Sequence, residues 1–240
     1  MQLPVIQGVI DRRILVNYRL DLDSAAAVIP KPFRPTRVHG YAIGGICLIR
    51  LKSIRPRRLP AWVGIGSENA AHRYAVEWDD DGHTRQGVYI PRRDTSSRLN
   101  ALVGGWLFPG EHHHAAFTVH EDDHHLRVAF ESDDGNARVS VNARRSDTWP
   151  TGSVFDNVDD ASHFFEAGSL GYSTTQDPRS FDGLELRCQT WSVEPLDIQH
   201  AYSSHFENPE QFPPGSAILD CALLMRGIDH EWHTRNPLCC

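Results

Sequence analysis

The sequence predicts a single α+β, mainly β domain built around an antiparallel sheet or barrel, with short helices inserted, and three observations carry that reading. Strand-like runs rich in isoleucine, leucine, valine and aromatic residues recur along the chain. Turn signals such as DDDG (79–82), SDDG (132–135) and FDG (181–183) are spread over its whole length, and the helical stretches between them are short. No internal repeat or low-complexity linker interrupts the 240 residues, so residues 1–240 are expected to form one domain.

Taken in order, Asp23 is positioned to cap a short helix through SAAAVI, which ends ahead of Pro30 because proline clashes with a helical residue before it. GYAIGGICLIRLKSI comes next as a strand, and residues 71–90 read as a hairpin about Asp81-Gly82, a pair that favours the type I′ turn. Thr95 or Ser96 can cap a helix through Leu99 to Val103 that stops at Gly104-Gly105. A second hairpin is expected at Asp122-Asp123. That register puts Phe117 and Val119 on one side with Leu126, Val128 and Phe130, and His112, His114, Thr118 and His120 on the other with His125, Arg127, Glu131 and Asp133. Asn157 or Asp159 begins a helix through ASHFFEA that Gly168 closes, and the strand pattern returns from Leu184 to Ile198 and from Ala217 to Ile228.

Composition narrows the function classes. A formal charge of -7 and a pI near 6.0 leave no basic footprint for nucleic acid. The longest apolar candidate, LNALVGGWLFPG, is broken by glycines and a proline, so no membrane span is expected. MQLPVIQGVIDRR carries acid and arginine where a signal peptide needs its apolar segment, which points to the cytoplasm. The five cysteines, Cys47, Cys188, Cys221, Cys239 and Cys240, show no CxxC spacing. Among 24 basic residues only Lys31 and Lys52 are lysines.

Several stretches bear residues suited to chemistry. EHHHAAF and DDHH offer imidazoles and carboxylates, and the register above faces His114 with Glu131, so His112, His114 and Glu131 form one metal-binding option; the alternative is a solvated polar strand face. HEWH (230–233) lacks the one-turn spacing of the zinc-protease motif. No serine sits in a nucleophile elbow and no glycine-rich phosphate loop is present, so no cofactor is expected. In the first hairpin, His72, Tyr74, Val76 and Trp78 share a face with Arg85, Gly87 and Tyr89, and Glu68 and Arg92 join them if the strand path persists. Such an acid, histidine and cation among aromatics make either a structural ion pair or the polar end of a pocket.

The runs IDRRILVNYRL, GYAIGGICLIRLKSIRP, GIGSENAAHRYAVEW, GVYIPRRDTSSRLNALVGGWLFPG, FFEAGSLGYS, LELRCQTWSVEPL and FPPGSAILDCALLMRGIDHEWH, in this order over nearly the whole chain, resemble the YqjF-like bacterial family of unknown function. That family is grouped with the acetoacetate decarboxylase-like superfamily. The resemblance implies an antiparallel β-cone or barrel with short flanking helices around a small-molecule pocket, and it leaves a homo-oligomer open. In acetoacetate decarboxylase the corresponding strand end carries a proline and two lysines, the first of which forms a Schiff base with a β-keto acid. Here the segment reads Pro91-Arg92-Arg93, and a guanidinium, protonated throughout the accessible pH range, cannot be that amine. The expectation is therefore a pocket for a small organic anion, a carboxylate or keto acid, with Arg92 as bidentate clamp and Arg93, Tyr74 and Tyr89 beside it. Glu68 and His72 are the acid-base candidates if the protein is a lyase or hydratase rather than a binding module.

Overall fold

The computed structural model describes residues 4–103, 110–177 and 179–239. Thirteen strands run through them: β1 (Ile6–Leu20), β2 (Arg34–Pro35), β3 (Arg37–Val38), β4 (Tyr41–Pro56), β5 (Ile65–Asp80), β6 (His83–Thr95), β7 (His112–Glu121), β8 (His125–Ser132), β9 (Arg138–Arg145), β10 (Leu170–Thr174), β11 (Ser180–Cys188), β12 (Glu194–Ser203) and β13 (Ala217–Cys239). Three short helices interrupt them, α1 (Leu22–Val28), α2 (Arg98–Val103) and α3 (Val158–Ala167). A mainly β fold with short helices is what the turn spacing predicts.

Local chemistry explains most boundaries. Asp80 pairs with His83 across Asp81 and Gly82, both at positive φ (48° and 77°), so the first hairpin turns where the aspartate-glycine pair predicts. Asn157 caps α3 by accepting from the Asp160 amide at 2.9 Å, and Gly168 closes it. The cap of α1 is Asp21 rather than Asp23: its carboxylate accepts from the Ser24 amide at 2.9 Å, and Asp23 lies in the first turn, where a negative charge also suits the helix dipole. Thr95 Oγ1 accepts from the Ser97 amide ahead of α2, while Gly104 and Gly105, expected to stop that helix, and Cys240 lie outside the described residues.

Two strand expectations are corrected. The run from Leu184 to Ile198 is two strands, because residues 189–193 leave the sheet and Trp191 donates its indole N–H to Ser162 Oγ on α3 at 3.0 Å. The second hairpin turns over residues 122–125 rather than at Asp122-Asp123 alone, with the Asp122 amide donating to the His125 carbonyl, so Glu121 pairs with Leu126 and Ala116 with Glu131. The register moves by an even number of residues, so each residue keeps its face while its partner changes: Phe117 pairs with Phe130 and Val119 with Val128.

The sheet closes on itself. Besides the long path β6-β7-β8-β9-β12-β13-β1-β4-β5, pairings of β5 with β6 and of β11 with β13 complete a second circuit, β1-β4-β5-β6-β10-β11-β13. The strands common to both circuits therefore have an interior on each face. One face buries Ile14, Val16, Ile46, Leu48, Tyr74 and Trp78 against residues of β8 and β9 such as Leu126, Val128 and Val141. The opposite face buries Leu15, Cys47, Ala75 and Leu223 against Phe155, Ala161 and Phe165 of the α3 region. Burial on both faces is why these strands read as continuous apolar runs rather than alternating ones.

Candidate functional site

A cavity of about 140 Å³ lies inside the seven-stranded circuit, and every strand of that circuit contributes to its wall: Arg13 from β1, Cys47 from β4, Ala71 and Arg73 from β5, Ile90 and Arg93 from β6, Gly171 from β10, Leu184 from β11 and Trp232 from β13. His112 of β7, Phe165 of α3 and Trp191 complete it. The register sets Leu15, Cys47, Ala71, Arg93 and His112 in one row across β1, β4, β5, β6 and β7. Ala71, with a single methyl group between the sulfur of Cys47 and the guanidinium of Arg93, leaves the space that becomes the floor.

The local reason that Arg93 reaches this space is a register shift. Tyr74 pairs with Tyr89 but His72 pairs with Arg92, so Arg73 opposes the two residues Ile90 and Pro91. An extra residue on one strand reverses the facing of the residues beyond it, and proline, with no N–H to give to the ladder, suits that place. Val88, Ile90 and Arg93 consequently line the cavity, whereas Arg92 turns to the other side with His72.

Three arginines face the cavity without a carboxylate partner among the described residues. Arg13 donates from Nε to Cys47 Sγ at 3.3 Å and lies 5.7 Å from the centre of the Trp191 ring. Arg73, 4% exposed, donates to Asn17 Oδ1 and sits 4.8 Å over the ring of Phe165, and its Nε has no hydrogen-bond partner. Arg93 donates from Nε to Ser173 Oγ at 3.0 Å. Sulfur, amide, hydroxyl and aromatic faces hold a guanidinium in place but leave its charge uncompensated. Desolvation accordingly draws both Arg73 and Arg93 down to about 10, still protonated at neutral pH. His112, beside Arg93, is drawn down to about 4, first by burial and then by that positive charge, so it is a neutral imidazole. Asp94 also reaches the wall, but its carboxylate is committed to Arg92.

The residues singled out from the sequence fall in different places. Arg92 does not line the cavity: its Nε and Nη2 grip Asp94 and its Nη2 also meets Asp134 at 2.9 Å, so the bidentate fork expected for a ligand is filled by two aspartates of the protein. Glu68 accepts from Arg12 Nη2 at 2.6 Å and from Arg50, in a cluster completed by Glu121. His72, 1% exposed, bonds through Nε2 to Ser203 Oγ at 3.2 Å, and burial with the charges of His205 and Arg92 holds it well below the usual histidine range. Tyr74 and Tyr89 belong to the core on the same face, the first bonded to His205 and the second to Thr174. Of the expected set, Arg93 alone lines the cavity.

The metal option loses its geometry with the hairpin register. His114 bonds Asp133 at 2.7 Å, Glu131 bonds Arg138, and His112 turns to the carbonyl of Gly110. Among the described residues no group of three His, Cys, Asp or Glu side chains could hold a metal ion. HEWH lies in the middle of β13, where His230 and His233 point to opposite faces. Among the described residues no helix is long and apolar enough to cross a membrane.

Sequence patterning alone did not single out Arg13, Cys47 and Arg73. The signal was available: Arg73 in AAHRYAV and Arg13 in IDRRILV each put a charge on an apolar strand, and a buried charge needs a reason.

The closed sheet is antiparallel as expected except that β6 pairs in parallel with β10 and with β7, and solved structures of acetoacetate decarboxylase-like proteins superimpose on this chain. Acetoacetate decarboxylase from Legionella pneumophila matches with a TM-score of 0.60 at 11% identity, covering 98% of this chain and 88% of that one. An acetoacetate decarboxylase-like enzyme from Sphingomonas wittichii RW1 matches at 0.59 and 11% identity, over 100% and 93%. The enduracididine biosynthesis enzyme MppR complexed with pyruvate matches at 0.60 and 11%, over 100% and 91%. At such identity the likeness is one of fold. The chain belongs to the family DUF2071, "Uncharacterized conserved protein (COG2071)", whose model matches residues 10–222. No curated protein matches it.

Proposed function

We propose that this protein binds a small organic anion, a carboxylate or keto acid, in the cavity of the seven-stranded circuit. The observation that carries the reading is the set of three guanidiniums, Arg13, Arg73 and Arg93, that face one cavity with no carboxylate among the described residues to balance them. Burying an unpaired cation is costly, and an anionic ligand is the partner that offsets it. The volume supports a small ligand, since a cavity of roughly 150 Å³ in another protein takes up benzene. Ile90, Leu184, Phe165 and Trp232 supply an apolar wall for the ligand's body. That the similar MppR structure holds pyruvate is a property of MppR, and it agrees with the class of ligand proposed here. In this reading Arg93, the second of the pair, takes the role that the sequence suggested for Arg92.

Schiff-base decarboxylation is not part of the proposal. Neither lysine lines the cavity: Lys52 is exposed and paired with Asp11 at 2.7 Å, and Lys31 is exposed. The test is calorimetry and thermal unfolding with acetate, propionate, pyruvate and acetoacetate against neutral amides of the same shape. Stabilisation by the acids, about 2.7 kcal/mol at a hundredfold excess over Kd, and its loss in Arg93→Gln, are the expected results. Equal responses to acids and amides would end the reading.

A further inference from the structure

Cys47 differs from the other described cysteines in what surrounds it. Cys221 is buried among apolar residues with Asn17, Cys188 is half-buried and Cys239 is exposed on β13. Cys47 forms part of the cavity wall, receives the Nε–H of Arg13 at 3.3 Å, and stands one small residue away from Arg93 in the cross-strand row. A second observation points to a ligand in the same space: Arg73, 4% exposed, lines the cavity with a buried Nε that has no partner. A sulfur nucleophile therefore faces the volume into which three cations draw negative charge.

We propose that Cys47 is a reactive thiol of the cavity, directed at small carboxylic acids that carry an electrophilic carbon next to the carboxylate. The inference rests on the anion-binding reading and adds a bond-forming group to it. The guanidiniums hold the carboxylate, which brings the neighbouring carbon to the sulfur; held reactants of this kind gain rate from proximity alone. Iodoacetate is the simplest probe. The Cys47 sulfur attacks its methylene carbon, the S–C bond forms as the C–I bond breaks, iodide leaves with the electron pair, and the thiol proton passes to solvent. Iodoacetamide undergoes the same displacement without the negative charge, so the ratio of the two rates isolates the effect of the arginines.

The experiment treats the reduced full-length protein with each reagent separately and tracks Cys47 and Cys239 by peptide mass spectrometry. The exposed Cys239 is the internal reference. The iodoacetate-to-iodoacetamide rate ratio at Cys47 is expected to exceed that at Cys239 by about tenfold or more, the scale on which a charged cleft concentrates a counter-charged reagent. It should fall toward the reference value in Arg93→Gln and in Arg13→Gln, either of which suffices if the other fails to fold. Propionate should protect Cys47 and leave Cys239 unaffected. A ratio equal at the two cysteines, or a Cys47 that neither reagent modifies, overturns the proposal. If in that case calorimetry still shows acids binding to Cys47→Ser, the thiol inference alone falls; if no acid binds at all, the anion-binding reading falls with it.

Discussion

Arg92 and Arg93, adjacent in the chain, project to opposite faces of β6: the first is held by Asp94 and Asp134, and the second enters the cavity with Ser173 as its hydrogen-bond acceptor. Charge is balanced on one face and left over on the other. The pair is thus a structural cation and a ligand-facing cation side by side, and substitutions at the two positions should have opposite signatures.

Arg92→Ala strands the carboxylate of Asp94, which is fully buried. Breaking a buried pair by removing one partner costs about 3–5 kcal/mol. Urea denaturation should show a loss of that order. Arg93→Ala removes a desolvated cation that has no carboxylate partner among the described residues, so the same measurement should show little loss or a gain.

Ala71→Leu should place the added carbons in the cavity between Cys47 and Arg93. Because the space is a void, the stability cost should stay below the roughly 1–3 kcal/mol of overpacking in a filled core. Acid binding, measured by calorimetry, should disappear. Retained binding would place the ligand elsewhere.

Glu68→Gln should act on stability. Arg12 is fully buried and is held by Glu68 and Glu121 together, so neutralising one acid leaves part of the cation's charge uncompensated. A loss of about 1–3 kcal/mol is expected. Acid affinity in the folded variant should be unchanged, since Glu68 is not part of the cavity wall.

Acid should destabilise the fold before its carboxylates titrate. Burial, with neighbouring positive charges, draws His112 and His205 down to about 4, burial draws His230 to about 4, and His72 lies well below its usual value. Histidines of the unfolded chain titrate near 6.5. Between about 6.5 and 4 the unfolded state therefore binds more protons, and stability falls as pH falls, by about 1.4 kcal/mol per pH unit for each such group. Their contribution is complete above that window. Urea midpoints at pH 7.5, 6.0 and 5.0 measure the slope, and His112→Gln should reduce it.

Much of the fold was legible because local chemistry decides it. Asp81-Gly82 demands its turn, Asn157 demands a helix start, and alternation sorted Phe117 and Val119 from His114 and His120. The site was legible only in part. Arg92 does lie on the side of His72, but through the residue added at Ile90-Pro91 rather than by alternation, which from Tyr89 would put Arg93 there. Nor does a single strand reveal that its two faces look into two interiors. Arg73 and Cys47 lie on the face that the hairpin argument set aside as the reverse of His72 and Tyr74, and only the closure of β11 on β13 makes that reverse an inside.

The closed circuit also sets how a guest would come and go. Eight of the enclosing segments, the seven strands of the circuit and β7, are stitched to their neighbours by ladder hydrogen bonds, and parting them would undo the fold; α3 and the Trp191 segment adjoin the wall through ring contacts and one indole–hydroxyl bond. Among the described residues the helix side is the part of the wall that no ladder holds, so substitutions that loosen α3 are expected to quicken exchange of an acid without altering the preference for charge.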